Sequence, residues 1–310
     1  MALDTFAAFV NKIEAWFRIV RPPIMIISVV GASAGALNVT IGQGHDLPQA
    51  TYAMTCLFAA LLSAGLMVHN DYYDLPSDRV TRPGKPLPSG VIRPETAKWT
   101  GFGLMAAAVL VAFFGRWLDF GELDFPTALM VAFVFIVGLY YNARGKYTGI
   151  WGHVMVAIGV GLIPYVGAMP FADYVSMAPL AAGIGVMEVG REILVCAGDI
   201  EGDRAAGFCT LPVKVGQRKS LLVALAFYIA SVPLFYMYLP QVARYLPGLE
   251  GDVFGPLYYV GTTVFLVALF VLWALVWRKP TWDSFEAYIR TGSRVAIFLY
   301  QLLLLSEAFF

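Results

Sequence analysis

Apolar stretches of about 20 residues, separated by short polar connections, run through almost the whole chain, and this pattern narrows the fold more than any other feature. The hydrocarbon core of a bilayer is about 30 Å thick, the length of a helix of about 20 residues. Inside it every backbone amide needs a partner within the protein, which leaves the helix as the form these stretches can take. The sequence gives nine candidate spans, at 22–42, 49–70, 97–116, 124–142, 150–169, 175–196, 218–239, 256–277 and 290–309. They occupy more than half of the 310 residues and leave no room for a large soluble domain. Charged residues make up 14% of the chain, against about 25% in soluble domains. A water-exposed surface so poor in charge would aggregate. The expected fold class is all-α, a polytopic membrane bundle of nine transmembrane helices in a single domain over residues 1–310.

Basic residues sort by side. Lys12, Arg18 and Arg21 precede the first span; Arg79, Arg82, Lys85, Arg93 and Lys98 lie at the connection after the second. Arg144 and Lys146 follow the fourth, Arg204, Lys214, Arg218 and Lys219 surround the connection after the sixth, and Arg278, Lys279, Arg290 and Arg294 that after the eighth. Arg116 and Arg244 fall on the other side, and Arg191 inside the sixth span. An excess of Lys and Arg marks cytoplasmic loops, so the expectation is a cytoplasmic N-terminus and a C-terminus across the membrane. The first 21 residues lack the basic start, short apolar run and cleavage site of a signal peptide. Lys plus Arg equals Asp plus Glu at 21 each, so no global field favours nucleic acid as a partner. Cys56, Cys196 and Cys209 cannot make a complete disulfide framework.

Two polar connections on the cytoplasmic side resemble each other. The first begins Asn70-Asp71-Tyr72-Tyr73-Asp74-Leu75-Pro76-Ser77-Asp78 and continues through Arg82, Lys85 and Leu87-Pro88-Ser89-Gly90. The second reads Asp199-Ile200-Glu201-Gly202-Asp203-Arg204, then Gly207 and Thr210-Leu211-Pro212. Each has aspartates four apart, then a Leu-Pro pair and a glycine. They lie four spans apart, which suggests a degenerate duplication: spans 1–4 (about 22–142) against spans 5–8 (about 150–277), with the ninth (about 290–309) added. Positions i and i+4 share a helix face about 6 Å apart. Asn70, Asp74 and Asp78 therefore form one oxygen-bearing stripe if the helix survives Pro76, and Asp199 with Asp203 forms another; Asp71 points off the first by about 100°. Facing stripes of this kind repel unless cations lie between them. Mg²⁺ takes one or two carboxylates together with substrate phosphates, so two acidic stripes with Arg and Lys nearby suit a metal-bridged diphosphate.

These motifs, N-D-x-x-D-x-x-x-D followed by R-P-x-x-P-L-P-S-G and then D-x-E-G-D-R with T-L-P-V, resemble those of the UbiA family of intramembrane prenyltransferases. The resemblance implies a helical bundle around a central polar cavity, with Mg²⁺ holding the diphosphate of an isoprenyl donor whose prenyl group passes to a lipophilic acceptor within the membrane. Carried over by position, Asn70, Asp71, Asp74, Asp78, Asp199 and Asp203 become metal-site residues, Asp71 as a neighbour. Tyr141-Asn142-Ala143-Arg144-Gly145-Lys146 matches the family's Tyr-Asn-x-x-x-Lys. It makes Lys146 a diphosphate-contacting lysine, with Asn142, Arg82, Lys85 and Arg204 as further partners. Departing diphosphate leaves an allyl cation that an aromatic face such as Tyr72 or Tyr141 stabilises by about 0.5–2 kcal/mol. Arg191 either pairs with Glu188 or orients the acceptor, and Arg21 is either an interface anchor or part of the acceptor pocket. His69 and His153 read as satisfied polar contacts, and Cys196 as an apolar filler.

The motif detail is most similar to the geranylgeranylglyceryl phosphate and chlorophyll-synthase side of the family; an aromatic quinone precursor or a chlorin is the alternative acceptor. Four residues at three places depart from the relatives' usual ones: Ile24 stands where an Asn is common, Val195-Cys196 where a Lys-Asp pair is, and His153 where an Asn is. A secondary transporter is the competing class, but inverted repeats are expected there, and this repeat keeps its orientation. A CDP-alcohol phosphotransferase would carry Asp-Gly-x-x-Ala-Arg, which the chain lacks.

Overall fold

The computed structural model describes residues 2–115, 124–239 and 254–309, with side chains from residue 9 onward. Every one of the nine candidate spans contains a helix. An N-terminal helix α1 (Ala2–Val20) precedes them, and α2 (Pro22–Asn38), α3 (Gln49–Thr81), α4 (Pro94–Phe114) and α5 (Phe125–Arg144) follow. Next come α6 (Ile150–Ala168), α7 (Ala178–Gly198), the short α8 (Ile200–Ala205) and α9 (Leu211–Val215), then α10 (Gln217–Phe235) and α11 (Pro256–Arg278). A π-helical segment, Phe285–Gly292, leads into the last helix, α12 (Ser293–Glu307). Arg116 and Arg244 lie outside the described residues.

Seven of the described helical segments are long and apolar enough to cross a membrane, which makes the chain an all-α, multi-pass integral membrane protein. The two remaining candidates owe their exclusion to charge and length: α7 carries Glu188, Arg191 and Glu192, and α12 has only 15 residues after the π-helical segment. Those charges face inward, where hydropathy along the sequence cannot see what they touch.

The run Gly31-Ala32-Ser33-Ala34-Gly35 in α2 serves close helix packing. Helix α2 lies against α6, α3 and α12, while α7 is held between α6 and α10. A side chain at Gly35 would overlap the Pro164 carbonyl, and one at Gly167 would overlap the backbone of Ala32, so α2 and α6 touch backbone to backbone. Such contact replaces the hydrophobic drive that lipid cannot supply between helices. Outward surfaces keep large apolar side chains exposed, Phe133, Ile136, Val264 and Val271 among them. Helix α1 is amphipathic: Phe9, Ile13 and Phe17, four residues apart, are exposed on one side while Ala15 and Ile19 are buried.

Between these helices lies one cavity of about 540 Å³, polar at one end. Phe58, Leu62, Val131 and Val160 make its apolar wall, and the polar end is lined from α3, α5, α7, α8 and the segment before α12.

Candidate active site

Helix α3 continues through Pro76 to Thr81, so Asn70, Asp74 and Asp78 do share one face, and all three line the cavity. The interrupted backbone bond at Pro76 falls between the two aspartates. Across the cavity α7 ends at Gly198 with Asp199 as its C-cap, and one turn later Asp203 sits in α8. Both line the same chamber, so residues far apart in sequence, from the second and sixth spans, converge. Gly202 permits this approach, because a side chain there would run into Thr81 and Ser77 of α3.

Basic side chains are interleaved with the acids. Lys146, just past α5, pairs with Asp74. Lys85 Nζ lies 2.7 Å from Asp78 Oδ2, and Arg82 bridges Asp199 at 3.0 Å and Glu286 at 3.3 Å. Arg290, from the π-helical segment, pairs with Asp199 and lies 2.9 Å from Glu286. Trp282 lies beneath both guanidinium groups, its ring 5.2 Å from that of Arg82 and 5.7 Å from that of Arg290. Burial works against charge on Arg82, yet Asp199, Asp78 and Glu286 hold its pKa above the ordinary arginine value.

Counting those that line the cavity, seven carboxylates (Asp74, Asp78, Glu188, Glu192, Asp199, Asp203, Glu286) meet seven cations (Arg21, Arg82, Lys85, Lys146, Arg191, Arg290, Arg294). Among the described residues six of the acids make ion pairs, and Asp203 makes none; it accepts only the Thr210 hydroxyl, at 3.1 Å. Burial pushes its carboxyl up to about 6, against the pull of Lys146 in the other direction. A buried acid without an ion-pair partner is costly to ionise, so this group suits a positively charged ligand.

A relay of amides orients the first stripe. Asn142 donates from Nδ2 to the His69 Nδ1 at 2.9 Å, and its Oδ1 accepts from Asn70 Nδ2 at 3.1 Å. The carbonyl oxygen of Asn70 is thereby left as the end of the amide available to a ligand. Oxygen donors from Asn70, Asp74, Asp78, Asp199 and Asp203 at one end of one chamber are the hard set that Mg²⁺ prefers. Their chemistry fits such an ion, while among the described residues no three of these carboxylates have oxygens within 4.8 Å of one another, Lys146, Lys85 and Arg82 being paired with them instead.

Other expected residues fall elsewhere. Asp71 does not line the cavity; it turns to Arg21 and Lys85, consistent with its position off the stripe. Tyr72 lies outside the lining, bonded to Glu95 and under the Lys98 ammonium. Arg204 is exposed and outside the lining, whereas Tyr141, Arg21 and Arg191 line it. Arg191 does pair with Glu188, bidentately. His153 accepts from the Leu211 amide at 3.4 Å. Its ring also comes within 4.8 Å of donor atoms on Glu192 and Cys196, so two of the departing positions meet beside the chamber, and Cys196 lines it. Arg290, Glu286 and Arg294 were not anticipated as site residues; the signal available was the spacing of three charged residues, four apart, entering an otherwise apolar final span.

Comparison with known proteins bears on this geometry. The profile of the UbiA prenyltransferase family matches residues 28–300. The digeranylgeranylglyceryl phosphate synthase of Natronomonas pharaonis is 33% identical over 77% of this chain and 79% of its own length. That of Thermococcus sibiricus is 28% identical over 93% of this chain and 95% of its own. Among solved structures, a UbiA homologue from Archaeoglobus fulgidus, bound to GPP and Mg²⁺, superposes with a TM-score of 0.71 over 95% of this chain and 98% of its own, at 17% identity.

Proposed function

Because this chain belongs to the UbiA prenyltransferase family, we propose that it carries out Mg²⁺-dependent transfer of a prenyl group from an isoprenyl diphosphate to a lipophilic acceptor within the membrane, with a geranylgeranylglyceryl phosphate-type lipid as acceptor. The activity is that of an intramembrane prenyltransferase; secondary transport falls with the family match. The observation that carries the site assignment is the meeting of the acids of α3 with those of α7 and α8 at one end of one cavity, where Asp203 is the one lining acid without an ion pair among the described residues.

Charge counting supports metal and diphosphate arriving together. The lining is balanced, seven acids against seven bases, so a diphosphate alone would add an uncompensated negative charge to a low-dielectric chamber. Asn70, Asp74, Asp78, Asp199 and Asp203 would hold Mg²⁺. When bound, the ion supplies positive charge that draws off the electrons of the breaking allylic C–O bond. Lys146, Arg82, Lys85 and Arg290 now neutralise carboxylates; with these on metal, the same cations are free to meet the diphosphate oxygens. Preorganised donors of this kind are worth about 2.7–4 kcal/mol each when aimed at developing charge. The Tyr141 ring faces the cavity where the carbon fragment would turn cationic. The apolar wall excludes the water that would quench that fragment.

The acceptor assignment rests on the two sequence relatives described above, both synthases of digeranylgeranylglyceryl phosphate. Spans 1–4 and 5–8 are read as a duplication of one orientation, nine helices cross the membrane, and the excess of basic residues puts the acidic motifs and N-terminus in the cytoplasm. Incubating the purified protein with radiolabelled prenyl diphosphates and a panel of glycerol phosphate lipids, hydroxybenzoate, naphthoate, homogentisate and chlorin acceptors tests the whole reading. Label is expected in the glycerol phosphate lipid. Label in an aromatic acceptor alone would overturn the acceptor, and no diphosphate release with any pair would overturn the activity.

A further inference from the structure

Six of the seven cations facing the cavity have a carboxylate within ion-pairing distance; among the described residues Arg294 has none. It is half-buried, on the inner face of α12, one helical turn beyond Arg290. Arg191, Arg21 and Arg290 act on it with like charge, and the acids that act with it, Glu286 and Glu188, are already ion-paired with Arg82, Arg290 and Arg191. A guanidinium that is partly desolvated, crowded by three other arginines and without an ion pair of its own, is a group that an anion would relieve. We infer that Arg294, flanked by Arg191 and Arg21, is the pocket that takes the phosphate of the acceptor lipid and so selects an anionic acceptor. This inference rests on the proposed prenyl transfer.

Position argues that the anion is not the donor's diphosphate. Arg290, at the level of Asp199, belongs to the acidic end. Arg191 lies eight residues before Asp199 on α7, about 12 Å along a helix, and Arg294 lies a turn further than Arg290 on α12. The arginines therefore stand deeper than the aspartates, where the lining becomes apolar with Ile24, Ile184 and Ile297. A phosphate there would sit below the donor's diphosphate, with the acceptor's chain continuing along those isoleucines. Three helices supply the arginines, α7 and α12 one each and Arg21 at the head of α2, and Arg21 is held in a left-handed backbone (φ 55°) while pairing with Asp71. Arginine suits the task, because its planar fork grips a phosphate through two parallel hydrogen bonds.

The test separates this pocket from the reading it rests on. Titration calorimetry in detergent, with a geranylgeranyl ether of glycerol phosphate as probe, needs no turnover. Arg294→Gln is expected to weaken binding at least tenfold and Arg294→Lys to restore part of it. Prenyl diphosphate binding in the presence of Mg²⁺ is expected to stay within twofold in both variants, which also reports that they are folded. The same lipid with its phosphate replaced by a neutral hydroxyl is expected to bind wild type and Arg294→Gln equally. Equal affinity of the phosphate lipid for wild type and Arg294→Gln would overturn the inference. So would a parallel loss of donor binding, which means a structural role. Arg294-dependent binding of a lipid that is then not prenylated would leave the pocket standing and remove the proposed acceptor instead.

Discussion

Asp203 is expected to set the pH behaviour of the site. Its carboxyl titrates at about 6 in the folded protein, against about 3.9 for an exposed aspartate. A raised carboxylate pKa means that the fold binds the proton more tightly than the unfolded chain does, so its contribution to stability is lost as pH rises from about 4 to about 6. A cation needs the ionised form. The Mg²⁺ concentration for half-maximal transfer is therefore expected to rise about tenfold per unit as pH falls below about 6, measured by metal titration at fixed donor. A flat profile from pH 5 to 7 would remove Asp203 from the metal site. Lys146 pairs with Asp74, and Lys146→Met is expected to lower kcat by about 10² with acceptor KM little changed; a kcat within threefold of wild type would count against a diphosphate role. At this scale the sequence was informative where chemistry repeats: the four-residue spacing of Asn70, Asp74 and Asp78 and its echo at Asp199 and Asp203 pointed to the stripes directly. Arg290 and Arg294 were hidden because a basic residue at the head of a span also serves as an interface anchor, and only packing tells an inward face from an outward one.

Helices α3 and α7 illustrate what apolar patterning can and cannot reveal. The second span was expected to end near residue 70, where hydropathy falls, yet α3 runs to Thr81. Hydropathy reports contact with lipid, whereas residues 70–81 form a polar face that closes the cavity and whose helical hydrogen bonds outlast Pro76. The reverse holds for α7, whose Glu188, Arg191 and Glu192 lower its apolarity while serving the interior. Which helix each small residue of α2 meets is decided by packing alone. Gly35 meets the Pro164 carbonyl of α6, so Gly35→Leu is expected to destabilise the bundle by about 1–3 kcal/mol, read as a lower melting temperature in detergent. Unchanged melting would mean that α2 and α6 are not in backbone contact.

At the scale of the whole molecule, a membrane bundle brings acids from two distant connections to one end of an apolar chamber. Thorough chelation with EDTA is expected to abolish transfer and added Mg²⁺ to restore it; activity persisting without divalent metal would contradict the metal-bridged diphosphate. The most direct measurement is equilibrium binding of a labelled isoprenyl diphosphate, with and without Mg²⁺, to wild type, Asp74→Asn and Asp199→Asn in detergent, each variant checked for a cooperative melt. Mg²⁺-dependent binding is predicted in wild type and its loss in both variants, since on the proposed reading each stripe would supply half of one site. Retention of Mg²⁺-dependent binding by either folded variant would contradict the shared site.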